Sequence, residues 1–234
     1  MSTSTASPRQ RTRAPQGGPP LGVLAVVSTA LLVAGLAASA ALGGTVPSPY
    51  AGGAQIREYF VTQPEAALAA GIFVFASAVP LPIYAATASA RLRQLGVTAP
   101  GATIALAGGV LAAGALALSG LFLWVLSRPG VADSTPVVRA LHDLAFVTGG
   151  VTHVVFLGLL LAGVAVPALI LRLLPRPLAW AGLVIAALAE LSTLSLLVPA
   201  LSVLLPLARF PGLAWLIAAG FLLPQRRPRS APQS

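Results

Sequence analysis

The sequence contains no cysteine and no lysine, and only five of its 234 residues are Asp or Glu. The absence of cysteine excludes disulfide bonds, thiol catalysis and cysteine-ligated metals. Charged residues make up 8% of the chain, whereas soluble globular proteins carry about 25%. Hydrophobic residues make up 57%, and the mean hydropathy is +0.91. A water-soluble fold would lack the polar surface that it needs, so the composition indicates an integral membrane protein.

Six apolar blocks, each roughly as long as the 20 residues that cross the hydrocarbon core of a bilayer, account for most of the chain. They cover about 21–42, 65–88, 102–126, 150–171, 178–198 and 203–223. Alternating segments of about ten residues, which a transmembrane β-barrel requires, do not occur. We therefore predict an all-α, polytopic transmembrane bundle with six spanning helices. Residues 1–20 and 224–234 are predicted to be polar cytoplasmic tails, the first of them disordered.

The arginines predict the orientation of this bundle, because cytoplasmic loops carry an excess of positive charge. With the N-terminus inside, ten arginines are cytoplasmic: Arg9, Arg11, Arg13, Arg91, Arg93, Arg172, Arg176, Arg226, Arg227 and Arg229. Four lie on the other side: Arg57, Arg128, Arg139 and Arg209. This bias predicts a bacterial plasma-membrane protein with both termini in the cytoplasm. The net charge of +9 then faces lipid headgroups, and no nucleic-acid partner is expected.

The first apolar block leaves an alternative open. A basic tail, an apolar stretch and the small residues Ala38-Ser39-Ala40 also fit a cleaved signal peptide. However, the apolar stretch is longer than the roughly 7–15 residues of a signal-peptide core. We expect the helix to be retained, and the intact mass of the purified protein distinguishes the two cases.

Small residues and prolines are expected to shape the packing of the helices. Small residues recur at four-residue spacing in the pairs Gly35 with Ser39, Gly108 with Ala112, and Gly109 with Ala113. Such pairs let helices approach closely, either within the bundle, which we favour, or at a dimer interface. Pro80 and Pro82 in the second block, and Pro167 in the fourth, are expected to kink or locally open their helices.

Ionisable residues inside a membrane are functional candidates, because burying them there is costly. Glu190 lies about 18 Å from the cytoplasmic end of the fifth block, and His153 lies near the outer end of the fourth. A proton or hydrogen-bond relay between them is one interpretation. The alternative is structural: a protonated, hydrogen-bonded Glu190 and a satisfied interhelical His153. We expect no catalytic residue, metal or cofactor site.

A second group of candidates lies outside the apolar blocks, in the predicted outer loops. Arg57 and Glu58 follow the first block, and His142 and Asp143 precede the fourth. If the fourth helix extends back through these residues, His142 and His153 share one face about 16 Å apart, which is too far for one metal ion. Arg139 and Asp143, at i and i+4, are expected to form an exposed ion pair.

Five segments at helix ends carry a resemblance to known sequences: Arg57-Glu58-Tyr59-Phe60, Ala90-Arg91-Leu92-Arg93, Leu141-His142-Asp143-Leu144-Ala145-Phe146, Leu174-Pro175-Arg176-Pro177-Leu178-Ala179-Trp180, and Arg209-Phe210-Pro211-Gly212-Leu213-Ala214-Trp215. In them the chain resembles a group of uncharacterised multi-pass membrane proteins of actinobacteria. The resemblance implies a helical bundle in the membrane. It implies no activity and no functional residues.

The leading hypothesis is a non-enzymatic membrane protein that acts by binding, as a sensor, an envelope-assembly component or a subunit of a homo-oligomer or of a complex with another membrane protein. A second hypothesis is a small-solute or proton-coupled transporter with Glu190 as proton carrier. The third is a membrane-embedded enzyme that modifies lipids with His142, Asp143, His153 and Glu190. Phosphate-binding loops and the motifs of serine hydrolases and zinc proteases do not occur in the sequence.

Overall fold

A computed structural model describes residues 18–225, which form helices and short connections without any β-strand. Six helical segments in this range are long and apolar enough to cross a membrane: Leu21–Gly43, Pro64–Gln94, Gly101–Leu126, Thr135–Ile170, Arg176–Leu196 and Pro199–Leu222. The predicted all-α fold with six spanning helices is therefore confirmed. Most of the two predicted tails lies outside the described residues. The orientation and the retention of the first helix stay predictions.

The described residues contain nine α-helices. They are α1 (Leu21–Gly43), α2 (Gly53–Thr62), α3 (Pro64–Ala78), α4 (Pro80–Gln94), α5 (Gly101–Leu126), α6 (Thr135–Phe146), α7 (His153–Ile170), α8 (Arg176–Leu191) and α9 (Leu204–Leu222). Between them lie a π-helical turn (Val147–Thr152) and three short 3-10 helices (Val131–Asp133, Ser192–Leu196 and Pro199–Val203). The pair α3 and α4 makes one span, and α6, the π turn and α7 make another. Helix α2 is not part of a span.

The two ends of the bundle differ in structure. At one end, which we call the terminal end, the start of α1 packs on the end of α9. A Cβ added to Gly220 would lie 2.6 Å from the backbone nitrogen of Gly22, so the two helices touch through their backbones there. The opposite end, which we call the loop end, carries residues 44–52, helix α2 and the start of α6.

Helices α2 and α6 pack on each other at the loop end. Ile56 and Phe60 of α2 are buried and form one apolar cluster with Val138 of α6 and Leu126 of α5. Arg57 adds a hydrogen bond from its Nε to the carbonyl oxygen of Ala132, at 2.8 Å. The fourth span therefore begins at Thr135, well before the predicted apolar block, because its first turns are amphipathic and pack on α2.

The small residues of α1 and α5 face other helices of the same chain. A Cβ added to Gly108 would lie 2.5 Å from the backbone nitrogen of Leu160 in α7. One added to Gly35 would lie 2.6 Å from the Cβ of Phe73 in α3, and Gly109 faces α4. These positions serve packing within the bundle, where close approach replaces the hydrophobic driving force that lipid removes.

The prolines affect their helices differently. The second span is interrupted at Val79, directly before Pro80, because proline cannot donate the hydrogen bond that would continue the helix. This confirms the local opening predicted there. Helix α7, in contrast, continues through Pro167 to Ile170, and α9 continues through Pro211.

Candidate functional site

A cavity of about 500 Å³ lies between the spanning helices toward the loop end. Its walls come from α1, α3, α5, α9 and the junction of α6 with the π turn, and residues 45–50 line it as well. Most of the lining side chains are apolar. The polar ones include His142, Arg209, Ser39, Ser119 and Ser202. Its volume falls within the range of about 300–1,000 Å³ that is typical of small-molecule sites.

An apolar cluster forms the floor of the cavity. Leu32, Val74 and Leu116, from α1, α3 and α5, line it and belong to one buried cluster that Leu213 of α9 completes. This cluster lies on the side toward the terminal end, whereas the histidine and the arginine lie on the side toward the loop end. The cavity is therefore amphipathic: its floor, toward the terminal end, is apolar, and its polar side chains lie toward the loop end among apolar ones.

Arg209 is the charged residue of the cavity wall. It lies in the second turn of α9, and its guanidinium donates a hydrogen bond from Nη2 to the carbonyl oxygen of Gly149. Its Nε is enclosed and has no hydrogen-bond partner within residues 18–225. The orientation count placed Arg209 among the outer-side residues, but here it lies within the last span. The sequence analysis did not identify it as a site residue, although its position six residues into the sixth apolar block is a signal that could have done so.

The π turn presents the carbonyl group that Arg209 binds. Turns of this kind occur frequently at functional sites, because the wider hydrogen-bond ladder alters the direction of groups around it. Gly149 is needed for close packing, since a Cβ there would lie 2.7 Å from the Cβ of Ser119 in α5. Ser119 in turn donates to the carbonyl oxygen of Ala145 at 2.8 Å, which fixes α5 against the turn.

His142 is buried in the same wall, with 3% of its surface exposed. Its Nε2 lies 3.1 Å from the carbonyl oxygen of Pro47. Because a carbonyl only accepts hydrogen bonds, Nε2 carries the hydrogen. The other ring nitrogen, Nδ1, is enclosed and has no partner among the described residues. The ring also packs edge-on against Phe60, at 5.8 Å between ring centroids.

The segment 47–51 is attached to α6 chiefly by Arg139. Its guanidinium donates from Nη1 to the carbonyl oxygen of Ala51 at 2.9 Å and from Nη2 to that of Pro49 at 2.8 Å. Its Nε lies 2.9 Å from Asp143, which confirms the predicted i, i+4 ion pair. We call residues 45–51 the strap, because Arg139 and His142 hold this cavity-lining segment onto α6.

His153 lies behind the cavity wall, near enough to Arg209 for an electrostatic interaction between the two side chains. It is buried, with Nδ1 2.9 Å from the carbonyl oxygen of Ala112 in α5, and its Nε2 is enclosed without a partner in the part of the chain that the structure describes. It does not line the cavity. The helix does extend back from His153 through His142, but the π turn lies between them. The two rings contact different elements: α5 for His153, the strap and α2 for His142.

Glu190 lies at the end of α8, with its side chain exposed on the bundle surface. Its Oε1 approaches Gly158 of α7 and would lie 3.1 Å from a Cβ placed there. The neighbouring Ser192 hydroxyl donates to the carbonyl oxygen of Ala189 rather than to the carboxylate. Within residues 18–225 no hydrogen bond joins Glu190 to His153, and neither lines the cavity. The relay between them stays a prediction.

The remaining candidates lie at the loop end, outside the cavity. Asp143 pairs with Arg139, and Arg57 binds the carbonyl oxygen of Ala132. Glu58 is exposed beside an open groove between α2 and the strap. Of the four outer-loop residues that the sequence singled out, His142 alone lines the cavity.

Comparison with known proteins adds nothing to this geometry. No protein-family model, no curated protein and no solved structure matches the chain. What supports a function is therefore the cavity itself and the polar residues in its wall.

Proposed function

We propose that this membrane protein acts by binding, and that it holds a lipid-like amphiphile in the cavity near the loop end. The observation that carries the proposal is the form of the cavity: an apolar floor between spanning helices, and Arg209 and His142 in the wall toward the loop end. Such a molecule would place its chain on the floor and its head group beside the polar side chains. Sensing or envelope assembly would depend on this occupancy.

A second observation concerns access. Leu36 of α1 and Phe210 of α9 both line the cavity, yet 51% and 43% of their surfaces are exposed. The cavity therefore reaches the lipid-facing surface beside α1 and α9. An amphiphile could enter from the membrane without crossing water, which suits a ligand with a long apolar chain.

Binding has more support than the alternatives. Among residues 18–225 no Asp or Glu lines the cavity, so His142 has no carboxylate partner there for acid–base chemistry. Its Nε2 is already held by the strap. Transport through Glu190 has less support as well, because neither Glu190 nor His153 lines the cavity, and the two share no hydrogen bond among the described residues.

Occupancy of the cavity can be tested by photolabelling. We expect a diazirine derivative of palmityl alcohol or palmitic acid to label cavity-lining residues in the purified protein, as peptide mapping by mass spectrometry would show. Leu36→Trp should reduce this labelling several-fold, because the indole fills the region where the cavity reaches the membrane. The control is Leu118→Trp, the same change at a lipid-exposed residue of α5 outside the cavity. Labelling that is spread evenly over the lipid-facing surface and ignores Leu36→Trp would contradict the proposal.

We further propose that the loop end faces the periplasmic or outer side of a bacterial plasma membrane, as the arginine bias and the actinobacterial resemblance suggest. The absence of native cysteine makes this simple to test, since an introduced cysteine is the only labelling site. In intact cells, a membrane-impermeant maleimide should label Gln55→Cys at the loop end and leave Thr98→Cys at the terminal end unlabelled. The reverse pattern would invert the orientation.

A further inference from the structure

Arg209 is a cation without a carboxylate partner in the structure. The ion pair found within residues 18–225 joins Arg139 to Asp143, and no Asp or Glu of this range lies within 4.0 Å of Arg209. A charged side chain inside a membrane is costly and is normally paired or placed beside a water-filled space. Arg209 instead donates a hydrogen bond from Nη2 to the carbonyl oxygen of Gly149, a neutral group that does not compensate the charge of the guanidinium.

The guanidinium still has capacity to bind. It holds five N–H hydrogens in a planar fork, and the hydrogen bond to Gly149 uses one of them, on Nη2. Nη1 makes no hydrogen bond to the described residues and is not among the enclosed atoms, so it is the donor available to a molecule in the cavity. Carboxylates and phosphates match such a fork better than neutral hydroxyl groups do, and their hydrogen bonds to it are about twice as strong.

His142 lies in the same wall but offers no accessible ring nitrogen to a molecule in the cavity. Its Nδ1 is enclosed and lacks a partner among the described residues, while the strap fixes the ring through Nε2. Arg209 therefore determines the sign of charge that the cavity prefers.

We infer that the occupant of the cavity is an anionic amphiphile, with a carboxylate or phosphate head group that Arg209 binds. This inference rests on the proposed function and adds the chemical class of the ligand. The apolar floor formed by Leu32, Val74 and Leu116 takes the hydrocarbon chain. A fatty acid and a phospholipid with an exposed phosphate are the two sources of this chemistry.

Competition against the photoactivatable palmitic acid tests the head group. In a neutral detergent, palmitate should displace the probe from the cavity at a concentration about tenfold lower than palmityl alcohol, the gain expected for a charge-assisted hydrogen bond. Dioleoyl phosphatidic acid against dioleoylglycerol gives the same comparison for a phosphate. Whichever acid shows the larger advantage identifies the source.

Substitution at Arg209 assigns this preference to one residue. Arg209→Gln should abolish the advantage of the acid over the alcohol, and Arg209→Lys, which keeps the charge but not the fork, should retain part of it. Arg128→Gln, at the loop end but outside the cavity, should leave it unchanged. If Arg209→Gln does not fold, the comparison of Arg209→Lys with the unaltered protein still tests whether Arg209 causes the preference for the acid, since Arg209→Lys should reduce that preference.

The outcomes separate the inference from the proposed function. Equal competition by acid and alcohol in the unaltered protein, with labelling still confined to the cavity, would overturn the anionic head group and leave amphiphile binding intact. An acid preference that Arg209→Gln and Arg209→Lys both leave unchanged would also overturn it. Failure of both probes to label the cavity would overturn the two proposals together.

Discussion

Gly108→Ala is expected to destabilise the bundle severely, whereas Gly114→Ala in the same helix should have almost no effect. The added methyl group at position 108 would lie 2.5 Å from the backbone nitrogen of Leu160, so α5 and α7 would have to move apart. Overpacking of this kind costs about 1–3 kcal/mol when side chains can adjust. Here the obstacle is backbone, and we expect a cost of at least about 3 kcal/mol by the same measure.

Gly114→Ala is a closely matched control for Gly108→Ala. Both substitutions add one methyl group to a glycine of α5, but a Cβ at Gly114 has nothing within 4 Å. Thermal unfolding in detergent, followed by size-exclusion chromatography of the soluble fraction, should show a large loss for Gly108→Ala only. Equal behaviour of the two variants would mean that α5 and α7 do not pack as described.

Arg139→Ala is expected to release the strap from α6. The change removes two hydrogen bonds to backbone carbonyl groups, on Pro49 and Ala51, and the ion pair with Asp143. Hydrogen bonds to charged groups contribute about 1.5–3 kcal/mol when protected from water. Because 39% of the Arg139 side chain is exposed, solvent weakens them, and we expect a local loss of about 1–2 kcal/mol in total.

Hydrogen–deuterium exchange is the suitable measurement, since the effect should be confined to one segment. Exchange in residues 44–52 should accelerate by at least about tenfold, as a loss of 1.4 kcal/mol implies, while the amides of α5 remain protected. Arg128→Ala provides the control: Arg128 lies at the same end and stacks on Trp124 at 5.2 Å. If both variants exchange alike, Arg139 does not anchor the strap.

The spans were predictable because their signal is local. A run of about 20 apolar residues forms a helix in a bilayer, because only a helix satisfies all of its backbone hydrogen bonds within the segment. Each predicted block therefore lies within one observed helical segment or matches it closely. The break before Pro80 was equally local. In contrast, helices α2 and α6 lie outside the apolar blocks. They are stabilised by packing on each other through Ile56, Phe60 and Val138. Hydropathy alone contains no information about that contact.

The site was less predictable, because its contacts join distant parts of the chain. His142 was identified as a candidate, but its partner is a backbone carbonyl group 95 residues away, which no pattern of side chains reveals. Arg209 was counted as an orientation signal, although its depth within the last apolar block marked it as an intramembrane charge. Glu190 and His153 were correctly placed within spans, yet sequence could not show that they contact different neighbours.

The contact between Gly22 and Gly220 has a consequence for biogenesis. Helix α1 enters the membrane early in synthesis, but the helix that packs against its start is the last of the described spans to emerge from the ribosome. Until then the nascent chain exposes that side of α1 to lipid. The cavity wall that carries Arg209 is also missing from every shorter intermediate. The complete cavity therefore exists only once translation has passed α9, and a truncated chain would lack the wall that carries Arg209.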